Sequence, residues 1–591
     1  MGHRGGDQLF RVLFTEFSGG TRLNLEVARA LREIADFFAV KGDRFRSRAY
    51  RRAAQRIESL TEDIREVHAR GELRSIPGVG ESIARVVEEL ITTGRCRLLE
   101  ELRESMPGGI HELMKIEGIG PKTALLLHRK LGITTLEELE TAVREGRLRT
   151  LRGFGPKVEE NILKAIEIHR SAQRRFLLGQ VLTTIEALER YMAGSEAVER
   201  VMIAGSVRRR KETVGDLDLL VASERHLEVV ERFVSLPEVV KVVSRGTTKS
   251  TVILRSGLQV DLRVVDPESF GSALQYFTGS KEHNIKLRRI AVRRGWKLNE
   301  YGLFDRRTGE RIAGETEESI YRALGLDYIE PELREDRGEI EAAAEGRLPR
   351  LVRVEEVRGD LHMHTKWSDG TGTIGEMVEA ARALGLEYIA ICDHSKSMAI
   401  AHGLDEARLR KQMEEIERLN RELEGFTVLS GVEVDIKRDG SLDLRDKVLK
   451  DLDFVVASVH SGFKSSKEEM TNRIVTALHN DYVRALGHPT GRLILKRPPY
   501  SVDLERVFEV AREQGVLMEI NAFPNRLDLN DVNSRAAKEA GLRMSIGTDA
   551  HTPDQLRLLP LGVYVARRAW LEPKDVVNTL PVKELLRTLE R

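Results

Sequence analysis

Residues 204–220 read AGSVRRRKETVGDLDLL, and residues 258–265 read LQVDLRVV. An apolar run ends at the Gly-Ser pair of the first segment and predicts one strand, and a second strand begins inside Gly-Asp-Leu-Asp. Because successive side chains of a strand point to opposite faces, Asp216 and Asp218 share one face. The second segment follows a Ser-Gly turn and predicts a hairpin strand, which would bring Asp261 beside them.

Three carboxylates held so close repel one another unless divalent cations lie between them. We therefore expect Asp216, Asp218 and Asp261 to bind two Mg²⁺ or Mn²⁺ ions in a site for phosphoryl transfer. The same segment supplies groups that suit phosphate oxygens. They are backbone N–H donors, a hydroxyl and guanidinium groups, from Gly205, Ser206, Arg208 and Arg209. A lone Asp-x-Asp is more often a strand start with solvated acids, but the neighbouring residues and the third aspartate favour the metal site.

This pattern resembles the nucleotidyltransferase superfamily that includes DNA polymerase beta. The segments YFTGS at 276–280 and LNEYGL at 298–303 are similar to the nucleotide-binding segment of the X-family DNA polymerases. The resemblance implies that Tyr276, Phe277, Gly279 and Asn284 line the sugar and base of the incoming nucleotide, and that Arg288 faces the template. The predicted nucleotide-binding set is Gly205, Ser206, Arg208, Arg209, Gly215, Tyr276, Phe277, Gly279, Asn284 and Arg288.

The bulk composition describes a globular chain with several domains. At 591 residues we expect about three to five domains, and the net charge of +1 does not exclude a local basic patch. The two cysteines, Cys96 and Cys392, lie far apart in sequence and predict no disulfide, which fits a reducing cytoplasm. An apolar run of about 18 residues does not occur, so we expect no membrane contact, and we expect a monomer.

A basic segment with one aromatic residue precedes three Gly-x-Gly turns. The turns are IPGVG at 76–80, IEGIGPK at 116–122 and LRGFGPK at 151–157, each before an apparent helix start where a DNA phosphate can bind. They resemble helix-hairpin-helix elements, which contact the DNA backbone without reading sequence. Helix-capping turns in a helical bundle remain the alternative. The candidate DNA contacts are Arg46, Tyr50, Arg51, Gly78, Gly80, Gly118, Gly120, Lys122, Gly153, Gly155 and Lys157.

Histidines concentrate in the C-terminal part of the chain. Of the 15 histidines, those at positions 362, 364, 394, 402, 460, 479, 488 and 551 lie beyond residue 358. Apolar runs alternate with helical patterns there, which predicts a parallel sheet with right-handed crossovers. Several of these histidines, with Asp and Glu, follow the predicted strands directly, which indicates a barrel with its site at one mouth. A lone His-x-His is more often not a metal site, but convergence at many strand ends favours one.

The C-terminal segment resembles the PHP (polymerase and histidinol phosphatase) domain, a family of trinuclear metal phosphoesterases. The resemblance implies a distorted TIM-like (β/α)7 barrel with three ions, and mixed nitrogen and carboxylate ligands suit Zn, Mn or Fe. The implied ligands are His362, His364, Asp369, His394, Glu433, His460, His488, Asp549 and His551. The family varies at Asp369. His402 and His479 do not match the motif, while Arg492, Asn521 and Arg526 are either phosphate contacts or ordinary loop residues.

The resemblance covers nearly the whole chain and implies a multidomain α/β protein with helical helix-hairpin-helix domains, a mixed-sheet nucleotidyltransferase palm and the barrel. The implied boundaries are 1–22 for a disordered leader, 23–100 for a helical domain with one hairpin, 101–175 for two further hairpins, 176–270 for the palm, 271–335 for the nucleotide-closing subdomain, 336–358 for a linker with one helical piece, and 359–591 for the PHP domain.

The implied activity is template-directed addition of deoxynucleoside triphosphates at gapped or nicked DNA, with a metal-dependent 3′ to 5′ exonuclease in the barrel. Cutting at abasic sites and cleaning of 3′ ends are further activities of the barrel that the resemblance allows. Two alternatives stay open: a nucleotidyltransferase that uses RNA ends or a small acceptor, and a DNA-binding scaffold whose barrel holds structural metals.

One departure from the family concerns the 5′-deoxyribose phosphate lyase of polymerase beta, which uses a lysine amine to form a Schiff base. Alignment on the first hairpin puts that position at Val86, with Ser82 where a second lysine is common. The sequence contains no lysine between Lys41 and Lys115, and a protonated guanidinium cannot replace the amine. We therefore expect a phosphate pocket without lysine-based lyase chemistry.

Overall fold

The computed structural model describes residues 20–58, 64–93, 96–104, 113–114, 116, 119, 121–151, 153–173 and 175–590. Most of the predicted leader therefore lies outside the described residues, as do Gly118 and Gly120. None of the described helices is long and apolar enough to cross a membrane.

The N-terminal part is helical and builds two separate hydrophobic cores. Its helices are α1 (Gly20–Val40), α2 (Arg44–Glu58), α3 (Ile64–Ala69), α4 (Glu81–Thr93), α5 (Arg97–Glu104), α6 (Pro121–Leu131), α7 (Leu136–Arg144) and α8 (Pro156–Gln173). The first core runs from Val27 to Leu102 and the second from Leu113 to Ile166. Each core encloses the apolar residues that flank its Gly-x-Gly turns, such as Ile76 and Val79.

The palm is a five-stranded mixed sheet. Its strands are β2 (Arg200–Ile203), β4 (Asp216–Ala222), β5 (Val239–Arg245), β6 (Lys249–Leu254) and β7 (Gln259–Val265), and β1 (Phe176–Leu177) pairs with β3 (Thr213–Val214) beside it. The strand order in the sheet is β2-β4-β7-β6-β5. The palm helices are α9 (Leu178–Ala193), α10 (Gly205–Arg208) and α11 (His226–Val234). Strands β6 and β7 form the predicted antiparallel hairpin, and β7 runs parallel to β4.

The segment predicted as a nucleotide-closing subdomain contains helices and a three-stranded antiparallel sheet. Its elements are α12 (Phe270–Thr278), α13 (Lys281–Arg293), β8 (Trp296–Asn299), β9 (Gly302–Asp305), β10 (Arg311–Ala313) and α14 (Glu317–Ala323), and α15 (Glu339–Ala344) follows in the segment predicted as a linker. The start of α13 is fixed by Ser280, whose hydroxyl accepts a hydrogen bond from the backbone N–H of His283.

The segment predicted as a linker, 336–358, is packed against both of its neighbours. Glu339 is buried and pairs with His283 of α13, with Oε1 2.7 Å from Nδ1. The backbone N–H of Val352 donates to the carbonyl of Leu571 at 3.0 Å. This segment therefore holds the closing subdomain against the C-terminal part.

The C-terminal part is a seven-stranded parallel barrel that is nearly closed. Its strands are adjacent in chain order: β11 (Gly359–Met363), β12 (Tyr388–Ile391), β13 (Thr427–Asp435), β14 (Phe454–Ser458), β15 (Ala485–Leu486), β16 (Leu517–Asn521) and β17 (Met544–Gly547). A parallel bridge between Met363 and Ala550 joins the first strand to the chain just after the last. The predicted barrel is thus confirmed, and its strands all end at the same mouth.

Five of the described barrel helices begin after a residue whose side chain caps the helix. The barrel helices are α16 (Ile374–Ala383), α17 (Glu406–Glu422), α18 (Asp446–Leu449), α19 (Lys467–Leu478), α20 (Leu504–Glu513), α21 (Asp531–Glu539), α22 (Leu559–Arg568) and α23 (Val582–Leu589). Thr373 and Ser466 form capping boxes with Glu376 and Glu469. Buried side chains of the palm and of the barrel belong to one continuous hydrophobic cluster, so the two parts pack directly on each other.

Candidate active sites

The three palm aspartates lie together near the start of two paired strands. Strands β4 and β7 pair in parallel with Asp218 opposite Asp261, and Asp216 lies two residues earlier on the same face. Burial raises the pKa of Asp218 to about 7, and the charges of Asp216 and Asp261 add to the effect. Burial and Asp261 likewise raise the pKa of Asp216. Such mutual repulsion is what bound divalent cations would relieve, so the residues fit a two-metal site.

Gly205 is the residue that lets the chain pass close to these acids. It has φ +61°, and a Cβ at this position would overlap the Asp218 carboxylate. The short helix α10 starts at Gly205 and carries Ser206 toward the same site. A glycine is therefore required here both by the left-handed backbone and by the space.

We expect Gly205→Ala to slow the nucleotide addition that the resemblance implies by roughly a hundredfold, because the added methyl must displace the Asp218 carboxylate from its position in the site. Single-turnover extension of a primer in gapped DNA measures the effect. Gly309→Ala is the matched control, since Gly309 also has a left-handed φ of +77°, but a methyl group added there would meet no described neighbour within 4 Å. Equal loss in the two variants would contradict the steric explanation.

A cavity of about 820 Å³ opens beside the aspartates. It is lined by Asp216, Asp218 and the predicted residues Gly205, Ser206, Arg209, Tyr276, Phe277, Gly279, Asn284 and Arg288. Asn284 is held in place from both sides: its Oδ1 accepts from Gln275 and its Nδ2 donates to the carbonyl of Tyr276, both at 2.7 Å. Eight of the ten predicted nucleotide-binding residues therefore come together around one cavity.

The cavity also has lining residues that sequence reasoning missed: Gln55, Lys281, Ile285, Val292 and Arg306. Three of them share one face of α13 with Asn284 and Arg288, at spacings of three or four residues. That helical spacing could have revealed them once Asn284 and Arg288 were assigned. Gln55 comes from α2, and only the tertiary structure brings it to the cavity.

Two residues predicted to bind the nucleotide, Arg208 and Gly215, are not among the described residues that line the cavity. Arg208 instead forms a bidentate pair with Glu317, with Nη2 2.5 Å from Oε2, and donates to the Thr278 hydroxyl at 2.7 Å. Burial alone would raise the pKa of Glu317, but Arg334 and Arg208 hold that pKa at about 2. The guanidinium of Arg208 thus joins the palm to the closing subdomain.

The described parts of the Gly-x-Gly turns lie just before helices, as the sequence predicts. Gly78 and Gly153 have φ +93° and +96°, and α4 and α8 begin a few residues after them. Gly80 and Gly155 accept backbone hydrogen bonds from the first turns of these helices, and Lys157 is exposed. Lys122 lies in α6, but its side chain is outside the described set.

Tyr50 was predicted to contact DNA, and its burial contradicts this. Its ring is 4% exposed and packs on Phe38 with centroids 5.5 Å apart, so it belongs to the first helical core. Arg46 and Arg51 on the same helix are exposed and pair with Asp43 and Asp36. The amphipathic pattern of α2 turns the arginines outward and the tyrosine inward.

The second site lies at the mouth of the barrel, where the predicted ligands converge. Three groups have ligand atoms within 4.8 Å of one another: His364, Asp369, His394 and His551; His362, His364 and Asp549; and His394, Glu433 and His460. His488 joins them through Glu433, with Nε2 2.9 Å from Oε1. The structure thus brings all the predicted barrel ligands into one cluster.

Glu433 lies at the centre of this cluster. Its carboxylate is 2.8 Å from His394 Nδ1 and 3.2 Å from His460 Nε2. Burial alone would raise the pKa of Glu433, but His460, His394 and His362 hold it well below its usual range. The ring nitrogens His362 Nε2, His364 Nδ1 and His488 Nδ1 are buried without a hydrogen-bond partner among the described residues. Buried imidazole nitrogens with carboxylate oxygens beside them fit divalent metal ions.

Two carboxylates that sequence reasoning missed orient the histidines. Glu519 Oε1 lies 2.6 Å from His362 Nδ1, and Asp435 Oδ1 lies 3.1 Å from His460 Nδ1. Such partners fix the tautomer and the orientation of a metal-binding ring. Alternation along the strand offered a signal for Asp435, because it lies two residues after Glu433 and so on the same face.

The three polar residues considered as phosphate contacts have different surroundings. Arg526 Nε lies 3.3 Å from Asp549 Oδ2, and Asn521 Nδ2 donates to the same oxygen at 3.1 Å. Arg492 instead pairs with Glu212 of the palm, with Nη2 2.7 Å from Oε2. Arg492 therefore joins the barrel to the palm. Neither His402 nor His479 belongs to the metal-binding groups found among the described residues.

Family models match four parts of the chain. They are described as a helix-hairpin-helix domain over residues 22–96, a SAM-like helix-hairpin-helix tandem over 110–167, a DNA polymerase beta thumb over 273–335 and a PHP domain over 360–522. Together with the palm aspartates and the cluster of histidines and carboxylates in the barrel, these domains imply that the chain binds divalent metal ions and DNA.

Two curated relatives match the chain over different lengths. A protein from Thermoanaerobacter sp. (strain X514) named "Probable phosphatase" is 33% identical over 245 residues, which is 39% of this chain and 95% of that protein. A second relative, from Bacillus subtilis (strain 168), is named "DNA polymerase/3'-5' exonuclease PolX". It is 38% identical over 569 residues, which is 96% of this chain and 99% of that protein. The chain therefore belongs to the PolX family of DNA polymerases with a 3′-5′ exonuclease.

Proposed function

We propose that the palm fills short gaps in DNA by adding a deoxynucleotide to a primer 3′-hydroxyl. The observation that carries this proposal is the convergence of Asp216 and Asp218, beside Asp261, with the predicted nucleotide residues around one cavity. Two Mg²⁺ or Mn²⁺ ions held by the aspartates would lower the pKa of the primer hydroxyl and neutralise the triphosphate. Ser206 and Arg209 bind phosphate oxygens, and Tyr276, Phe277 and Asn284 hold the sugar and base.

We further propose that the barrel hydrolyses phosphodiester bonds from the 3′ end of a DNA strand. Its donor set suits three ions drawn from Zn²⁺, Mn²⁺ and Fe. Arg526 is the proposed phosphate contact, because its guanidinium lies at the cluster and 20% of its side chain is exposed. Cleavage at abasic sites and removal of 3′-phosphates are the further reactions to be tested at the same centre.

Labelled DNA with a one-nucleotide gap tests both proposals. With deoxynucleotides and Mg²⁺ we expect the primer to lengthen by one, and without deoxynucleotides in Mn²⁺ we expect it to shorten from the 3′ end. Extension of an RNA end or of a small acceptor instead of the gapped primer would support the nucleotidyltransferase alternative. Binding of DNA without either change in primer length would support the scaffold alternative.

We expect no lysine-based lyase activity in the N-terminal helical domain. Val86 occupies the position of the family's lyase lysine in the alignment, and it is 7% exposed. Ser82, at the position where a second lysine is common, is exposed in the first turn of α4. Borohydride trapping on DNA with an incised abasic site, followed by peptide mapping, measures the Schiff base. A strong covalent adduct that maps to residues 42–114 would refute the expectation, and a domain known to form the adduct serves as the positive control.

A further inference from the structure

The basic turn that follows α10 in the palm is held by a helix of the barrel. Arg568, the last residue of α22, donates from Nη1 to the backbone carbonyl of Arg209 at 2.6 Å. One turn earlier on the same helix, the ring of Tyr564 lies 4.2 Å from the guanidinium of Arg210. The barrel helix thus contacts two successive residues of this palm turn, one through its backbone and one through its side chain.

The side chains of Arg209 and Arg568 also share one acceptor. Glu335 Oε1 accepts from Arg209 Nε at 3.0 Å and from Arg568 Nη1 at 3.1 Å. The other end of the Arg568 guanidinium donates to Asp531 at 2.7 Å, and Arg337 pairs with the same carboxylate at 3.0 Å. Only 4% of the Arg568 side chain is exposed. A buried charge network of this kind has few alternative arrangements, because removal of the Arg568 guanidinium takes one cationic partner from each of the two carboxylates.

Arg209 is the member of this network that reaches the nucleotide cavity. It lines the cavity together with Ser206 and Asp218, and its Nη1 donates to the carbonyl of Thr278 at the end of α12. The Glu335 and Thr278 oxygens hold its guanidinium in place at the cavity. Arg568 contacts Glu335 and the Arg209 backbone, and so acts on both the side chain and the main chain of Arg209.

We propose that Arg568, in the phosphoesterase barrel, is a positioning residue for nucleotide addition in the palm. It holds Arg209 against Glu335 so that the Arg209 guanidinium faces the triphosphate. The inference rests on the proposed polymerase function and assigns a polymerase role to a residue of the other catalytic domain. It predicts that damage to the Arg568 contacts weakens the binding of the incoming deoxynucleotide, although Arg568 lies outside the cavity.

The neighbouring Arg567 provides a matched control for a merely structural role. It lies on the same helix and also pairs with the closing subdomain, with Nε 2.7 Å from Glu332 Oε1. The contacts described for Arg567 include none to Arg209 or Glu335. If Arg568 served only to join the two parts of the chain, removal of either arginine would have a similar effect on nucleotide addition.

The test uses the full-length chain with Arg568→Met, Arg568→Lys, Glu335→Gln and Arg567→Met. Steady-state addition to a one-nucleotide gap is measured over a range of deoxynucleotide concentrations, together with the thermal midpoint and 3′-end hydrolysis of a labelled single strand. We expect KM for the deoxynucleotide to rise about tenfold in Arg568→Met and in Glu335→Gln, as for the loss of one charge-assisted hydrogen bond. We expect kcat to change less, Arg568→Lys to recover part of the loss and Arg567→Met to stay near wild type.

The outcomes separate the inference from the function on which it rests. An unchanged KM in folded Arg568→Met or Glu335→Gln overturns the positioning role, and so does an equal rise in KM in Arg567→Met. If Arg568→Met does not fold, Glu335→Gln and Arg568→Lys decide by the same criterion. A wild-type chain that adds no nucleotide overturns the proposed function and the inference together. A loss of hydrolysis without a rise in KM in Arg568→Met would contradict the role of Arg568 in nucleotide addition.

Discussion

Replacing Asp218 with asparagine should slow nucleotide addition at least about a thousandfold, because the isosteric amide removes one of the charges proposed to bind the two cations. Asp218 faces Asp261 across the paired strands and lines the cavity beside Gly205. Single-turnover extension of a labelled primer in gapped DNA with saturating deoxynucleotide measures the rate without the contribution of product release. The far-ultraviolet circular dichroism spectrum and the thermal midpoint check that the variant is folded.

Asp266→Asn is the matched control for this prediction. Asp266 follows the same strand as Asp261, but its side chain is 65% exposed and pairs with His226. We expect this change to leave nucleotide addition within about twofold of wild type, as surface substitutions usually do. Hydrolysis of 3′ ends by the barrel should persist in both variants. Full addition by folded Asp218→Asn protein would refute the assignment of the palm aspartates.

Replacing Asp549 with alanine should remove metal from the barrel and lower 3′-end hydrolysis at least about a thousandfold. The carboxylate is buried in the cluster, 3.1 Å from His364 Nε2, and Asn521 and Arg526 hold its other oxygen. Inductively coupled plasma mass spectrometry of the purified protein measures the metal content, and release of labelled mononucleotides measures hydrolysis. Gap filling on an undamaged primer should continue.

His479→Gln is the control for the barrel. Its ring Nδ1 lies 2.8 Å from the Val475 carbonyl at the end of α19, and it belongs to none of the described metal-binding groups. We expect this variant to keep the metal content and the hydrolysis rate of the wild type. An Asp549→Ala protein with an unchanged metal content would show that the ligand assignment is wrong.

Much of both sites follows from local rules that act along the chain. The face shared by Asp216 and Asp218 is a property of any extended strand, and the hairpin that carries Asp261 follows from its Ser-Gly turn. In the barrel, His460 and His488 follow short apolar runs, and parallel strands place their carboxyl ends at one mouth. Spacing was therefore enough to bring these residues together.

What the sequence left undetermined depends on contacts between distant segments. The role of Arg208 was predicted from its position beside Gly-Ser, but its partner Glu317 lies 109 residues away. Tyr50 lies within a run of arginines, and the packing of its ring on Phe38 of α1 shows that it faces inward. The place of Gln55 in the cavity and the contact between Arg568 and Arg209 likewise depend on how helices and domains dock. The pairing of Glu519 with His362 depends on how distant strands of the barrel face each other.

The close packing of palm and barrel bears on how the two activities coexist. The palm turn 209–213 is contacted by the barrel through Arg568, Tyr564 and Arg492. The two sites therefore flank one shared interface, although each has its own ligand set. A substitution at a metal ligand should therefore lower only the activity of the site that contains it. A substitution of a barrel residue at this interface can lower nucleotide addition in the palm.

The central claim is that one chain adds nucleotides in the palm and removes them in the barrel. The most direct test gives wild type, Asp218→Asn and Asp549→Ala the same 5′-labelled primer, with a base-paired 3′ nucleotide at a one-nucleotide gap. Wild type should shorten the primer without deoxynucleotides and lengthen it when they are present, Asp218→Asn should only shorten it, and Asp549→Ala should only lengthen it. Loss of both activities in either folded variant, or retention of both, would contradict two separate sites.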